Sequence, residues 1–184
     1  FKFLYELLAV SKGQLKVEEI PINFRSRQAG DSKLDNAVVW DWLVSLVHTA
    51  TFRLLPRRAV SFGLVGVSGM VVHVGLYALL RSLGASFLAT QVVAVITAAC
   101  SNYLINNALT FRSRRLRGRS LFIGLLKFLL VSSLGMAANV GVSTVVFASL
   151  QGGPIAVVAI ASGILVDFIW KYAASSRFVW NVPY

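Results

Sequence analysis

Residues 21–34 read PINFRSRQAGDSKL, and within them Arg27, Ser32 and Lys33 gather around Gly30. A guanidinium fork, a hydroxyl and an ammonium, set beside a glycine where backbone N–H groups can approach closely, form the donor set that a phosphate takes. A helix starting near Lys33 or Leu34 would add its N-terminal dipole. From chemistry alone the loop either holds a phosphate at a membrane surface or rests as a basic segment on anionic lipid. Arg25 lies outside the set and is expected to meet headgroups. A second constellation sits in apolar surroundings. Asp167 and Lys171 are spaced to share one helix face, and Asn102, Asn106 and Asn107 close an earlier apolar run. Ionisable groups inside a membrane span are costly and mark function by default. Asp167 and Lys171 therefore form either a structural ion pair or, with Asn102, an intramembrane polar site for a charged headgroup or substrate. Cys100, the lone cysteine, lies in an apolar run and reads as a small buried hydrophobe. His48 and His73 stand apart from any cysteine or carboxylate cluster, so no metal site is expected here.

The elements that must position these groups belong to a membrane protein. Of the 184 residues 57% are hydrophobic, against about 45–50% in a soluble domain, and the mean hydropathy is +0.72. From Val60 onward the apolar residues form runs near the roughly 20 residues that cross a bilayer. The pattern predicts spans over 60–80, 87–108, 121–149 and 154–174, the third longer than a crossing requires. Arg53, Arg57 and Arg58 flank the first span. Arg112, Arg114, Arg115, Arg117 and Arg119 fill the loop after the second, and Lys171 and Arg177 mark the end of the fourth. Arg81 alone represents these residues on the opposite side. Positive charge stays cytoplasmic, so both ends and the central loop are expected there, in a multi-pass protein of the cell (inner) membrane. The same bias accounts for the net charge of +11 and the run FRSRRLRGR, and no nucleic-acid partner is expected.

An internal repeat is visible. Phe62-Gly-Leu-Val-Gly returns 66 residues later as Phe128-Leu-Leu-Val-Ser, and Thr110-Phe111-Arg112 is echoed by Arg177-Phe178-Val179. Each unit holds two spans, an even number, so both copies must share one orientation, unlike inverted transporter repeats. Gly63, Gly66 and Gly69 in the first span, with Ala137 and Gly141 in the third, leave room for close helix approach.

Before the membrane part, Phe1, Leu4, Leu7 and Leu8 have helical spacing, while Ile20, Ile22 and Phe24 alternate as in a strand, with Pro21 placing it at an edge. Two such pieces cannot form a core, so they read as the end of a larger α/β domain. The chain opens on Phe1, and further sequence upstream is expected. Residues 35–58 follow as a helix with Asp41, Ser45, His48 and Thr49 on one face and Val39, Leu43, Leu46, Val47, Ala50 and Leu54 opposite. Trp40 and Trp42 favour headgroup depth, and an interface helix is expected. A soluble helix packed on the preceding domain is the alternative.

The spacing Pro-Ile-x-Phe-x-x-Arg-x-x-Gly-x-Ser-Lys-Leu, here Pro21, Ile22, Phe24, Arg27, Gly30, Ser32, Lys33 and Leu34, resembles the C-terminal signature of dolichol-phosphate mannose synthases and related polyprenyl-phosphate glycosyltransferases. Phe62-Gly-Leu-Val-Gly-Val-Ser-Gly, Ser101-Asn-Tyr-Leu-Ile-Asn-Asn, Thr110-Phe111 and Phe178-Val-Trp resemble a GtrA-like membrane domain. The resemblance implies an α-helical membrane protein whose four transmembrane helices form two parallel two-helix repeats. An amphipathic interface helix (35–58) and the remnant of a GT-A-type α/β glycosyltransferase domain (1–34) would precede the membrane domain at 59–180. It implies inverting transfer of mannose from GDP-mannose to a polyprenyl phosphate at the cytoplasmic face, with UDP-glucose as an alternative donor. Arg27, Ser32, Lys33 and Gly30 would bind the donor diphosphate or the lipid phosphate. Mg2+ or Mn2+ and the catalytic carboxylates would sit in a nucleotide-binding domain outside this chain, which alone would be inactive. The partners implied are the lipid bilayer, the nucleotide sugar and the polyprenyl phosphate, and a homo-oligomer is a further expectation. A translocating or presenting role for glycosylated prenyl phosphate, or a purely structural anchor, are the competing readings.

Overall fold

The computed structural model describes residues 2–11, 14–23, 35–149 and 155–183. Arg27, Gly30, Ser32 and Lys33 lie outside the described residues. The chain divides into two compact units, Phe1–Val60 and Ser61–Tyr184.

In the first unit, α1 spans Lys2–Ser11 and α2 spans Asn36–Ala50. Of the strand expected from the alternation ending at Phe24, the described part is not formed: residues 14–23 carry no strand, Ile20 and Ile22 are exposed, and Phe24 lies outside the described residues. An alternating pattern becomes a strand only against a partner edge, and the described residues offer none. The helix expected from the loop onward also begins later, at Asn36. Asp35 caps it, its carboxylate accepting the Val38 N–H at 2.8 Å. The Asp35 carboxylate thus satisfies one of the free N–H groups at the helix N-terminus. At the other end Thr51 Oγ1 donates to the Val47 carbonyl at 2.9 Å, and Phe52 and Arg53 adopt positive φ values of 52° and 59°, which stop the helix well before residue 58.

The sidedness of α2 is unusual for a soluble helix. Val38, Val39, Trp42 and Leu43 are exposed, whereas Asp41, His48 and Thr49 are half-buried. Ser45, expected on an open polar face, is buried together with Val44. A helix that turns apolar side chains outward and polar ones inward suits a lipid environment.

In the second unit four helices are long and apolar enough, among the described residues, to cross a membrane: Arg57–Ser82, Phe87–Thr110, Arg119–Ser149 and Val157–Val179. They are α3 (Arg57–Ser82), α4 (Phe87–Ile105) with a π turn at Asn106–Thr110, α5 (Arg119–Ser149), and α6 (Ile155–Ala174) with a second π turn at Ser175–Val179. Gly84, at φ +83°, closes α3. Its conformation lets the Ala85 N–H reach the Leu80 carbonyl at 3.1 Å, a left-handed helix stop. Ser86 then caps α4. A short 3-10 turn, Arg112–Arg114, leads toward α5. Each span carries exposed Val, Leu, Ile or Met along its length, the surface a bilayer would cover.

The two repeats are structural as well as sequential. Phe111 closes the first π turn, its N–H bonded to the Asn106 carbonyl at 2.8 Å. Trp180 closes the second, bonded to the Ser175 carbonyl at 3.1 Å. The structural counterpart of Phe111 is therefore Trp180, two positions beyond the Phe178 suggested by sequence. Ring pairs obey the same correspondence. Phe62 meets Phe111 edge-on within the first repeat, as Phe128 meets Trp180 within the second. Across repeats, Tyr103 packs on Phe128 and Tyr172 on Phe62. Phe111 and Trp180 stack on each other, centroids 4.1 Å apart and planes 10° from parallel. Together with Val179 these rings form the buried core of the bundle end.

Candidate functional site: a polar groove between the helix pairs

α5 and α6 pack closely along their lengths, and α4 meets α5, whereas the α3 backbone stands further off. α3 is joined to the rest by the Phe62 rings and by a 2.7 Å hydrogen bond between the Ser61 and Thr110 hydroxyls. The space left between α3–α4 and α5–α6 is a groove of about 630 Å³ with residues of all four helices in its lining. Most of the lining is apolar, including Val67, Met70, Met136 and Ile164, all exposed at its rim.

The polar groups in it are Asn102, Asn106, Asp167, Lys171, His73 and Ser132. Lys171 Nζ donates to Asp167 Oδ2 at 2.8 Å, the ion pair expected from their spacing. The second carboxylate oxygen, Asp167 Oδ1, is buried and has no hydrogen-bond partner among the described residues. The same holds for Asn102 Oδ1, Asn106 Oδ1 and His73 Nε2. Glycines let these groups in. A Cβ on Gly69 would run into the Asn102 amide, and one on Gly135 would meet Asp167 Oδ1 and come within 3.2 Å of Lys171 Cε. Gly69 and Gly135 are equivalent in the repeat, as are Asn102 and Lys171. The second copy thus carries the charge where the first carries a neutral amide.

The structure therefore brings Asn102, Asp167 and Lys171 to one groove. Asn106, expected as one of the polar exceptions closing the second span but not named to the site, joins them, as does His73, which was expected to stand apart. Asn106 follows Asn102, and His73 follows Gly69, by one helical step, so a shared face was the available signal. Asn107 does something else. Its Oδ1 accepts from Leu116 N at 2.8 Å and Trp180 Nε1 at 3.1 Å, while its Nδ2 donates to the Leu116 carbonyl at 3.1 Å. It is a structural clamp between the central loop and the chain's end. Among the described residues no three His, Cys, Asp or Glu side chains come together.

Two tandem helix pairs, each helix long and apolar enough to cross a membrane, define a multi-pass helical membrane protein. Residues 61–180 match the family described as GtrA/DPMS, transmembrane domain, and the chain belongs to it. It is also 31% identical, over 180 residues, to a dolichol-phosphate mannosyltransferase of Pyrococcus furiosus, covering 98% of this chain and 49% of the relative. The chain spans about half the length of that curated relative.

Proposed function

We propose that this chain is the membrane-embedded part of a polyprenyl-phosphate glycosyltransferase. The observation that carries the reading is the extent of the similarity. It runs through 98% of the chain, and so takes in the segment before Ser61 as well as the membrane family's residues 61–180. In the reaction proposed, a lipid-phosphate oxygen attacks the anomeric carbon of a nucleotide-activated sugar, and the nucleoside diphosphate leaves with the bonding electrons. The attacking phosphate is already ionised at neutral pH, so positioning and charge stabilisation outweigh proton transfer. Arg27, Ser32 and Lys33, with Gly30 between them, supply the donors for donor diphosphate or lipid phosphate. α2 follows immediately, and its outward apolar side chains suit it to hold that loop at headgroup depth. Mannose from GDP-mannose at the cytoplasmic face is the proposed chemistry, and UDP-glucose is the donor to test beside it. A divalent metal would act in a nucleotide-binding domain outside these residues.

The test is sugar transfer in membranes by the protein that carries this chain together with its nucleotide-binding domain. Labelled GDP-mannose and UDP-glucose are supplied separately with a polyprenyl phosphate, and lipid-extractable label is counted. Transfer from GDP-mannose, lowered at least 100-fold in Arg27→Ala at equal expression, is the expected result. Undiminished transfer in that variant would remove the loop from the reaction, and absence of transfer from either donor would overturn the reading.

A further inference from the structure

We infer that the outer face of α5 is a binding site for the phosphate of an anionic phospholipid, held by Lys127 and Arg119 with Arg117 and Ser120 beside them. The site is separate from the groove and does not depend on the proposed function.

Lys127 is a cation in an apolar setting. It is exposed, and so are Ile123, Leu126 and Leu130 around it. At about 100° per residue, Arg119, Ser120, Ile123, Lys127 and Leu130 fall within one arc of roughly 100°. The buried residues Gly124, Phe128, Val131 and Gly135 occupy a separate arc of the helix. Lys127 therefore faces lipid and not the bundle. Packing does not explain it, since Ser61, its counterpart in the first repeat, is buried and bonded to Thr110. A charge on a lipid-facing surface is costly without a partner.

Helix length sets its depth. α5 has 31 residues, about 46 Å at 1.5 Å per residue, against about 30 Å of hydrocarbon. Residues 128–147 hold no charged side chain and by themselves make about 30 Å. Residues 119–127 then stand in the headgroup layer at the arginine end, and Lys127 marks its inner edge. Helical side chains lean toward the N-terminus, so the long Lys127 stem carries its ammonium back toward Arg119, to the level of the lipid phosphates.

Charge makes the ligand an anion. Between Ser61 and Tyr184 the only Asp or Glu is Asp167, and Lys171 already pairs with it at 2.8 Å. No acidic side chain of this unit is left for Arg117, Arg119 or Lys127, all of them exposed. The backbone that presents them is fixed. Leu116 is tied to Asn107 through both its N–H and its carbonyl, and its side chain packs on the ring cluster. Gly118, at φ +53°, then turns the chain into α5, and the Leu121 N–H bonds the Gly118 carbonyl at 3.1 Å. Two guanidiniums, an ammonium and the Ser120 hydroxyl are donors that suit a phosphate. Below them Leu130 and Leu134 are exposed on the same arc, a track for an acyl chain. A soluble phosphate has no use for that track. An open face, unlike a pocket, takes the anionic lipid that surrounds it.

The test places the full-length protein in phosphatidylcholine nanodiscs with a photoprobe of phosphatidylglycerol or phosphatidylcholine, the diazirine at the same acyl carbon in each. The phosphatidylglycerol probe should label α5 about fivefold more than the phosphatidylcholine probe, and the labelling should saturate as its fraction rises. Lys127→Gln combined with Arg119→Gln should lower it to the phosphatidylcholine level at the parent's thermal stability. Lys127→Arg should retain it, as should Arg81→Gln, whose residue lies at the other end of the bundle. Equal labelling by the two probes, labelling spread evenly over α3 to α6, or undiminished labelling in the double variant would overturn the site. Were the double variant unstable, Lys127→Gln alone carries the test, with a fall of about twofold expected and no fall overturning the site. Competitors separate the sources of phosphate. Unlabelled phosphatidylglycerol should displace the probe. Displacement by inorganic phosphate, or by polyprenyl phosphate at a far lower fraction than phosphatidylglycerol, would overturn the phospholipid assignment.

Discussion

Asn107 shows how much one buried amide can hold. Removing it strands the Leu116 N–H and carbonyl and the Trp180 indole at once. At about 1–3 kcal/mol per unsatisfied group, relieved in part by relaxation, Asn107→Leu should destabilise the fold by roughly 2–5 kcal/mol. Thermal unfolding in detergent, followed by loss of monodisperse protein, measures it. The groove asparagines behave oppositely. Asn102 and Asn106 carry orphaned oxygens, so Asn102→Ala should cost less than about 1 kcal/mol in the same assay. Glycines divide in the same way. A Cβ at Gly163 would sit 2.7 Å from the Asn139 carbonyl oxygen, a backbone atom that cannot swing aside. Gly163→Ala should therefore loosen the α5–α6 pair by about 1–3 kcal/mol, whereas Gly66→Ala should be neutral or slightly stabilising. Equal effects at the two glycines would contradict the packing described.

At the scale of elements, the π turns matter most. A π turn widens the helix and swings its closing residue off the α-helical path. Here both turns aim an aromatic ring inward, so that Phe111 and Trp180 stack face to face. Trp180→Ala should cost roughly 3–5 kcal/mol as a large buried ring is lost; Trp180→Phe, retaining a stack without the Asn107 hydrogen bond, should cost clearly less. α2 makes a separate prediction. With Cys100 replaced by alanine, spin labels at Leu43 and Val39 in bilayers should collide with oxygen more than with a water-soluble nickel complex. A label at Asp41, which is half-buried, should collide with oxygen less than either. Identical accessibility around the helix would mean that it does not lie at an interface.

For the whole molecule, the repeat sets what the parts can do. Two helix pairs in one orientation put both π turns at one end, and that end bears the arginines of the central loop. We expect this end to be cytoplasmic. In the cysteine-free background, Ser113→Cys in intact cells should resist a membrane-impermeant maleimide that labels Leu83→Cys in the exposed turn after α3, and the pattern should invert in inside-out vesicles. The spans, the charge bias and the existence of the repeat were legible because hydropathy and arginine placement are properties of short stretches. Chemistry too was legible where it lay close in sequence, as with Asp167 and Lys171. The strand ending at Phe24 was not, because alternation describes a face and a strand also needs an edge to pair with. Nor was the true register of the repeat: ring stacking, not local similarity, makes Trp180 the counterpart of Phe111. By itself the sequence determined a four-span membrane protein with its cations on one side, since a bilayer tests each segment separately for length and polarity. Only the tertiary structure decided that Asn107 would be spent on a clamp while Asn106, its neighbour, faced a groove with its oxygen unmet. That difference depends on which way a π turn rotates two adjacent side chains, and on what the other helices place opposite them.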